Sequence, residues 1–339
     1  MSAAPAARAR LVALVDAFAG RRVAVLGDLL VDEFLHGDIA RVSREAPVLI
    51  LEHRRTVAVP GGGANSVVNL RALGARPLPV GVIGRDAAGR RLVRVFRELG
   101  IDTRSLVEVD GYETPSKCRV LAGGTHTRRQ QIVRVDYGAG RGEFPRRTQA
   151  MLRRALRHTL LRADGLLIAD YGFGSAAPEV AEVVIPPVRR RGLPVTVDSR
   201  SRVARFSGVS ACTPNQEELE LAFGRAPLDG GDLSRAARQL LRRTGNDAVL
   251  VTRGAEGMAL FPRGGRRVDI PAFGTDEVAD VTGAGDTVIA TFTLALLAGG
   301  NAEEAARIAN YAAGIVVTKA GTATTSPREL IAAIGEDLG

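Results

Sequence analysis

Strand-length apolar runs alternate with helix-period segments along nearly all of this 339-residue chain. That alternation limits the possible folds more than any other feature. Residues 22–27 read as a buried strand, 63–73 as a helix, 78–83 as a strand and 87–99 as a helix. Strands follow at 165–169, 194–197 and 248–252, with a helix at 178–190, and two long helices close the pattern at 284–297 and 302–318. Strands that are apolar throughout are covered on both faces, and their alternation with helices makes them parallel. The expected class is α/β: a doubly wound, mostly parallel sheet flanked by helices, with 1–339 as one domain that no repeat or linker divides.

Two segments break the pattern. Residues 33–37 and 47–52 form one pair of short extended pieces. Residues 116–121 and 130–136, joined by the glycine-rich turn 122–127, form another. The expectation is a small β-flap with its strands within 32–53 and 116–136, inserted in the α/β core. Such flaps close over substrates and exclude water, and an exposed flap also offers a contact between two copies of the chain.

Bulk properties exclude several classes. No run of 18 uncharged apolar residues exists, so no membrane span is expected. The first ten residues carry arginines without a following apolar region and cleavage site. Cys118 and Cys212 lack metal spacing and read as reduced core residues of a cytoplasmic protein. The formal charge of +9 comes from 46 basic residues, of which only Lys117 and Lys319 are lysines. The arginines are spread along the whole chain, and four tyrosines without a tryptophan supply few stacking platforms. No nucleic-acid surface is expected, although the charge can steer anionic substrates.

Ligands of doubly wound sheets bind beyond the carboxyl ends of the strands. Acids and glycines gather at those ends: Asp28 and Asp32, Pro60-Gly-Gly-Gly-Ala-Asn65, Asp170-Tyr171-Gly172, Asp198-Ser199-Arg200, Thr213-Pro-Asn215-Gln-Glu-Glu218 and Thr252-Arg253-Gly254. One such acid is an ordinary helix cap; six convergent sites point to an enzyme. The segment Asp280-Val-Thr-Gly283-Ala284-Gly285-Asp286 opens the apolar helix 284–297. Small residues there expose backbone N–H groups at the positive end of a helix, a place for phosphate. An acid fixed beside an anion site is explained if Asp286 takes a proton from a hydroxyl that attacks the phosphoryl group. A P-loop is excluded because no Gly-Lys dipeptide occurs. The glycines of 60–65 lack the setting of a nicotinamide fingerprint, and no histidine or cysteine set suits zinc.

In this order the motifs at Gly27-Asp28 and Asp32, 60–65, Asn215 with Glu218, Val251-Thr-Arg-Gly254 and 280–286 resemble those of the ribokinase-like (PfkB) carbohydrate kinases over essentially the full length. Within that family the chain is most similar to the D-glycero-β-D-manno-heptose 7-phosphate kinases, through 27–34, 41–48, Lys117, 129–136, 170–172 and 280–289. The resemblance implies a ribokinase-like fold with a β-flap lid. It implies phosphorylation by ATP of the C1 hydroxyl of that heptose phosphate, giving the 1,7-bisphosphate in ADP-heptose biosynthesis.

It further implies Asp286 as base, with the amides of Gly283, Ala284 and Gly285 on the transferred phosphoryl group. Sugar contacts would come from Asp32, Gly61, Gly62, Asn65 and Asp170, and the 7-phosphate would meet Lys117 and Arg134. ATP would lie on Asn215, Thr252, Arg253, Gly254, Asn310 and Ala313, with Mg²⁺ held by Glu218 through water. Whether a monovalent cation such as K⁺ activates is left open, and a homodimer through the flap is expected. No Gly-x-Phe-Asp…His-x-Gly-His motif occurs, so only the kinase step is expected. Arg44 replaces a common proline, and 122–128 is unusually basic; both changes lie in the lid. The alternatives are another ribokinase-like kinase for a sugar, ketose phosphate or nucleoside, and a non-catalytic nucleic-acid-binding or regulatory protein on the same fold. A nucleoside would want an aromatic clamp, for which the flap offers only Phe34, Tyr112 and Tyr137. A mere binder would not need Asp286.

Overall fold

The computed structural model describes residues 3–123, 130–138, 143–224, 230–274 and 278–338. Most of the glycine-rich turn of the flap, including His126, lies outside the described residues. Eight strands make the central sheet, in the order Val268–Ile270, Met258–Pro262, Ala248–Thr252, Ala211–Cys212, Val195–Ser199, Gly165–Asp170, Arg22–Gly27 and Arg76–Val80. The six strands from Ala248–Thr252 to Arg76–Val80 are parallel, and the first two form an antiparallel edge.

Successive residues of a strand point to opposite faces, and each face here has its own core. Val23, Val25, Leu167 and Leu250 pack with Val288, Ile289 and Phe292 of helix Ala284–Leu297. Ala24, Leu26, Leu166, Ile168 and Val197 pack on the other side with Leu152, Leu156 and Val180. Each such Val or Leu contributes roughly 1.5–3 kcal/mol when fully buried. Helix Ala284–Leu297 is buried from Asp286 to Ala295, which explains why its sequence is apolar all round. The tertiary packing therefore holds the first turn, with its Gly-Ala-Gly, rigidly at the carboxyl edge of the sheet.

A separate four-stranded sheet forms the flap, in the order Leu49–Gly62, Leu29–Val42, Ser116–Gly123 and Gln130–Tyr137. Its first two strands have 14 residues each, far longer than the short pieces expected. The outer halves are exposed and charged, with Asp38, Arg41, Glu52, Arg54 and Arg55, so they carry no apolar alternation to read. Leu29–Val42 starts two residues after the first strand of the main sheet ends. Leu49–Gly62 runs directly into helix Gly63–Ala72. The lid thus grows from the carboxyl edge itself, and Asp32, Lys117 and Asp136 lie side by side across three of its strands.

Other expectations need correction. The strand at 78–83 is interrupted at Gly81, where a Cβ would stand 2.5 Å from the Gly27 carbonyl. Arg76–Val80 stays in the main sheet, while Val82–Gly84 pairs with Val107–Val109. The helix at 178–190 is two short helices, Pro178–Ala181 and Ile185–Arg190. Pro186 and Pro187 lack N–H groups and push the preceding residue away from helical geometry. The antiparallel edge strands and the helices Ala3–Asp16, Arg146–Leu160, Gly230–Thr244 and Pro327–Asp337 are additions to the sequence pattern.

Candidate active site

Three adjoining cavities lie at the carboxyl edge of the main sheet, two of them bordered by the lid. A polar one of about 310 Å³ is lined by Asp32, Gly62, Asn65, Lys117, Arg119, Tyr171, Asp198, Arg200, Asn215, Glu218, Thr252, Gly283, Gly285 and Asp286, among others. A more apolar one of about 480 Å³ lies between Gly254, Met258, Phe273, Ala284, Val288, Asn310, Ala313 and Val317. Thr252, Val281 and Gly285 border both, so these two cavities meet at the first turn of helix Ala284–Leu297. The third, about 380 Å³, is lined by Lys117, Arg134, Asp136, Tyr171, Arg200 and Arg202.

Asp286 stands at the centre. It is buried, and three neutral donors hold its carboxylate: Asn65 Nδ2 on Oδ2 at 3.0 Å, Ser66 Oγ on Oδ1 at 2.9 Å and Tyr171 Oη on Oδ1 at 2.8 Å. Burial pushes its pKa up to about 6, the three hydrogen bonds pulling the other way. It is therefore ionised at neutral pH yet a far better proton acceptor than an exposed aspartate.

Gly283 caps the helix with φ 82°, and no side chain caps it. A Cβ there would meet Asn65 Nδ2 at 2.5 Å, so glycine is needed for both reasons. The Ala284 amide donates to the Val281 carbonyl at 3.2 Å. The expected three-amide cradle thus reduces to two, Gly283 and Gly285, whose amides have no acceptor among the described residues. A Cβ on Gly285 would meet nothing within 4 Å, because that position faces open space.

Two of the residues expected to meet a sugar are placed differently. Asp32 is buried and paired with Arg119, whose guanidinium lies 5.4 Å from the Phe34 ring centroid. Gly61 does not line the cavity; a Cβ there would come 2.2 Å from Asp32 Oδ2, so its role is to make room for that carboxylate. Gly62 does line it, with φ 53°. Asp170 is also removed from the cavity: Arg202 and Ser199 take its carboxylate, and it serves as scaffold. Asp28 is scaffold too, accepting the amides of Tyr171, Phe173 and Ser175.

Asn215 and Glu218, expected to meet ATP and Mg²⁺, form a capping box on helix Gln216–Phe223 and line the polar cavity. Burial raises the Glu218 pKa, and burial together with Glu218 and Asp286 pushes Asp198 well above the usual carboxylate range. Thr252, Gly254, Asn310 and Ala313, expected to meet ATP, together line the apolar cavity, with Asn310 Nδ2 on the Pro271 carbonyl at 2.8 Å. Arg253 does not; its side chain pairs with Glu256 instead. Ser66, Arg119, Asp198, Arg200 and Tyr171 are site residues that no expectation assigned a role. Asp198, Tyr171 and Arg200 stood in strand-end segments already singled out, while Ser66 and Arg119 carried no motif.

The pfkB family carbohydrate kinase model matches residues 22–146 and 180–329. The bifunctional protein HldE of Mesorhizobium japonicum is 41% identical over 324 residues, covering 95% of this chain and 64% of that protein. That of Halorhodospira halophila is 42% identical over 315 residues, covering 93% and 63%. The chain therefore spans a little under two thirds of these relatives' own length. Among solved structures, Arabidopsis thaliana ribokinase complexed with ribose and ATP superposes with a TM-score of 0.71 at 20% identity, covering 93% of this chain and 99% of that one. Phosphofructokinase-2 from Escherichia coli in complex with potassium gives 0.71 at 18%, covering 94% and 99%.

Proposed function

Starting from the fact that the chain belongs to the pfkB carbohydrate kinase family, we propose that it transfers the γ-phosphoryl group of ATP to the C1 hydroxyl of D-glycero-β-D-manno-heptose 7-phosphate. The product would be the 1,7-bisphosphate of ADP-heptose biosynthesis, and the 40%-identical HldE relatives support that choice of sugar. The observation that carries the reading is the position of Asp286, buried where a polar and an apolar cavity meet and beside two open amides.

In this reading the base of ATP occupies the apolar cavity and its phosphates reach the Gly283 and Gly285 amides. Those amides face the charge that builds on the transferring group and need no rearrangement to do so. Asp32, fixed by Arg119, accepts sugar hydroxyls. Asp286 takes the C1 hydroxyl proton as that oxygen bonds to phosphorus; the bond to the β-phosphate oxygen breaks, and ADP leaves with the electron pair. Lys117, Arg134 and Arg200 hold the far phosphate.

Asp198 and Glu218 fit a divalent cation, since both are half-buried and the Glu218 charge pushes the Asp198 pKa up, a repulsion that one positive charge relieves. They would hold Mg²⁺ through water, and bound Mg²⁺ would neutralise the ATP phosphates. The lid also carries an exposed apolar face of Val133, Val135 and Tyr137, which we assign to a second copy of the chain.

The test is a panel of six- and seven-carbon sugars, with and without a terminal phosphate, assayed for ADP release, with the new phosphate located by NMR. The expected result is the highest kcat/KM for the heptose 7-phosphate and phosphorylation at C1. A higher kcat/KM for an unphosphorylated sugar or a nucleoside overturns the substrate assignment.

A further inference from the structure

Tyr171 occupies a place that the proposed reaction leaves without a role. Its ring borders both the polar cavity that holds Asp286 and the cationic cavity beside it. Its hydroxyl donates to Asp286 Oδ1 at 2.8 Å. Two cations lie against the ring: Arg200 Cζ is 4.7 Å and Lys117 Nζ 5.8 Å from its centroid. Both distances are within cation–π range. Neither cation forms an ion pair among the described residues. One side chain thus links a group of charges that have no acid partner to the base of the reaction.

We propose that Tyr171 is a positioning residue that couples a phosphate bound in the cationic cavity to the orientation of Asp286. The coupling rests on the reading of a phosphorylated sugar as substrate. The cations Lys117 and Arg200 gather around a terminal phosphate, with Arg134 and Arg202 lining the same cavity. In doing so they fix the ring they lie against. The ring in turn fixes the hydroxyl, and the hydroxyl sets the direction of the Asp286 carboxylate toward the sugar. Backbone constraint helps: the Tyr171 amide is anchored on buried Asp28 at 2.9 Å, so the ring has one stiff attachment and one adjustable surface.

Ser66 and Asn65 also hold Asp286, but both belong to helix Gly63–Ala72 and, among the described residues, make no hydrogen bond or ring contact with Lys117 or Arg200. Lys117, Tyr171 and Arg200 border both cavities, and of the three only the tyrosine is hydrogen-bonded to Asp286. A terminal phosphate is then an activator as well as an anchor: it raises kcat in addition to lowering KM.

The experiment compares wild type, Tyr171→Phe and Arg200→Ala on the heptose 7-phosphate and on the same heptose without phosphate. kcat, KM for each substrate and the pH profile of kcat are measured, with folding checked by thermal melting. Tyr171→Phe keeps the ring and loses only the hydroxyl; Arg200→Ala removes a cation that lies on the ring, borders both cavities and lowers the Asp286 pKa through space, and it leaves the Asp286 hydrogen bonds in place. The expected result is a wild-type kcat at least about tenfold higher with the phosphate. Both variants should narrow that ratio toward one, with a loss of kcat on the phosphorylated sugar of order 10²-fold for a misplaced base. The acidic limb of the Tyr171→Phe profile should move to higher pH, because the lost hydrogen bond is one that lowers the Asp286 pKa.

A wild-type kcat indifferent to the phosphate overturns the coupling. If KM is indifferent as well, the phosphorylated-sugar reading fails with it. A wild type that prefers the phosphate, with folded variants that keep the full preference, overturns the coupling alone.

Discussion

Replacing Asp286 by Asn should remove catalysis and should shift stability relative to wild type with pH in a stated direction. The folded-state pKa is raised from 3.8 to about 6. Two units correspond to about 3 kcal/mol. Because the folded pKa lies above the unfolded one, the folded state holds the proton between pH 3.8 and 6 while the unfolded chain has released it. Wild-type stability therefore falls as pH rises through that window and stays low above it. Asn has no proton to lose and escapes the fall. Between pH 4 and pH 8 the stability of Asp286→Asn relative to wild type should improve by about 2–3 kcal/mol.

An opposing contribution does not change with pH. If the new carbonyl keeps Ser66 and Tyr171, the new amide faces Asn65 Nδ2, donor against donor. Asn65 cannot turn freely, because its own oxygen accepts from Asn69 Nδ2 at 3.2 Å. Such a conflict costs about 1–3 kcal/mol. The variant should be less stable than wild type near pH 4 and equal or better near pH 8. Asp28, also raised to about 6, titrates in both proteins and cancels in the difference. Urea unfolding of both proteins at pH 4, 6 and 8 measures the effect, alongside kcat at pH 8, which should fall about 10²–10⁴-fold. A stability difference that stays flat with pH refutes the buried, ionised carboxylate, and an unchanged kcat refutes its role as base.

Gly285→Ala should leave thermal stability intact, since the new methyl meets no protein atom and alanine is the better helix residue. Activity should nevertheless drop on the order of 10²-fold if a phosphoryl oxygen needs that amide, and a fully active variant would show the space is not used. Lys117→Met or Arg134→Met should raise KM for the phosphorylated sugar about 10–100-fold, the size of a lost charge-assisted hydrogen bond. An equal rise for the unphosphorylated sugar would remove both residues from phosphate binding. Val135→Asp on the exposed face of the lid should convert a dimer to monomer in sedimentation, and a wild type that already sediments as a monomer would dismiss that interface.

The α/β class and the carboxyl-edge location were legible because continuous apolar runs such as 22–27 and 165–169 can only be strands covered on both sides. The proposed base could be singled out because Gly283, Ala284 and Gly285 precede Asp286 at the start of a helix. The lid was legible only in part. Its strands beyond Gly37 and before Val57 are largely solvent-facing, so hydrophobic period carries little information there. Arg119 was invisible for a related reason: among 44 arginines spread along the chain, nothing local marks the one that register sets two residues along from Lys117 and beside Phe34. Ser66 was hidden because a serine in the first turn of a helix has an ordinary local reading. Its partner is 220 residues away.

The strand-end acids looked alike in sequence, and what separates them is their partners. Asp170 has an arginine on both carboxylate oxygens. Asp28 has three backbone amides within 2.9 Å. Such acids are complete within the protein and hold loops in place. Asp198, Glu218 and Asp286 are enclosed without a cation bonded to them, and burial raises all three. Leaving an anion so under-compensated destabilises the fold. That deficit is explained if substrate, nucleotide and cation complete the charge balance when they bind. By the same logic Lys117 and Arg200, held close together and in no ion pair among the described residues, carry a positive surplus that Asp32 and the three acids only partly offset through space: burial and then Arg200 lower the Lys117 pKa, and an arriving phosphate would restore it. The unpaired charges, more than the glycines, mark where ligands belong.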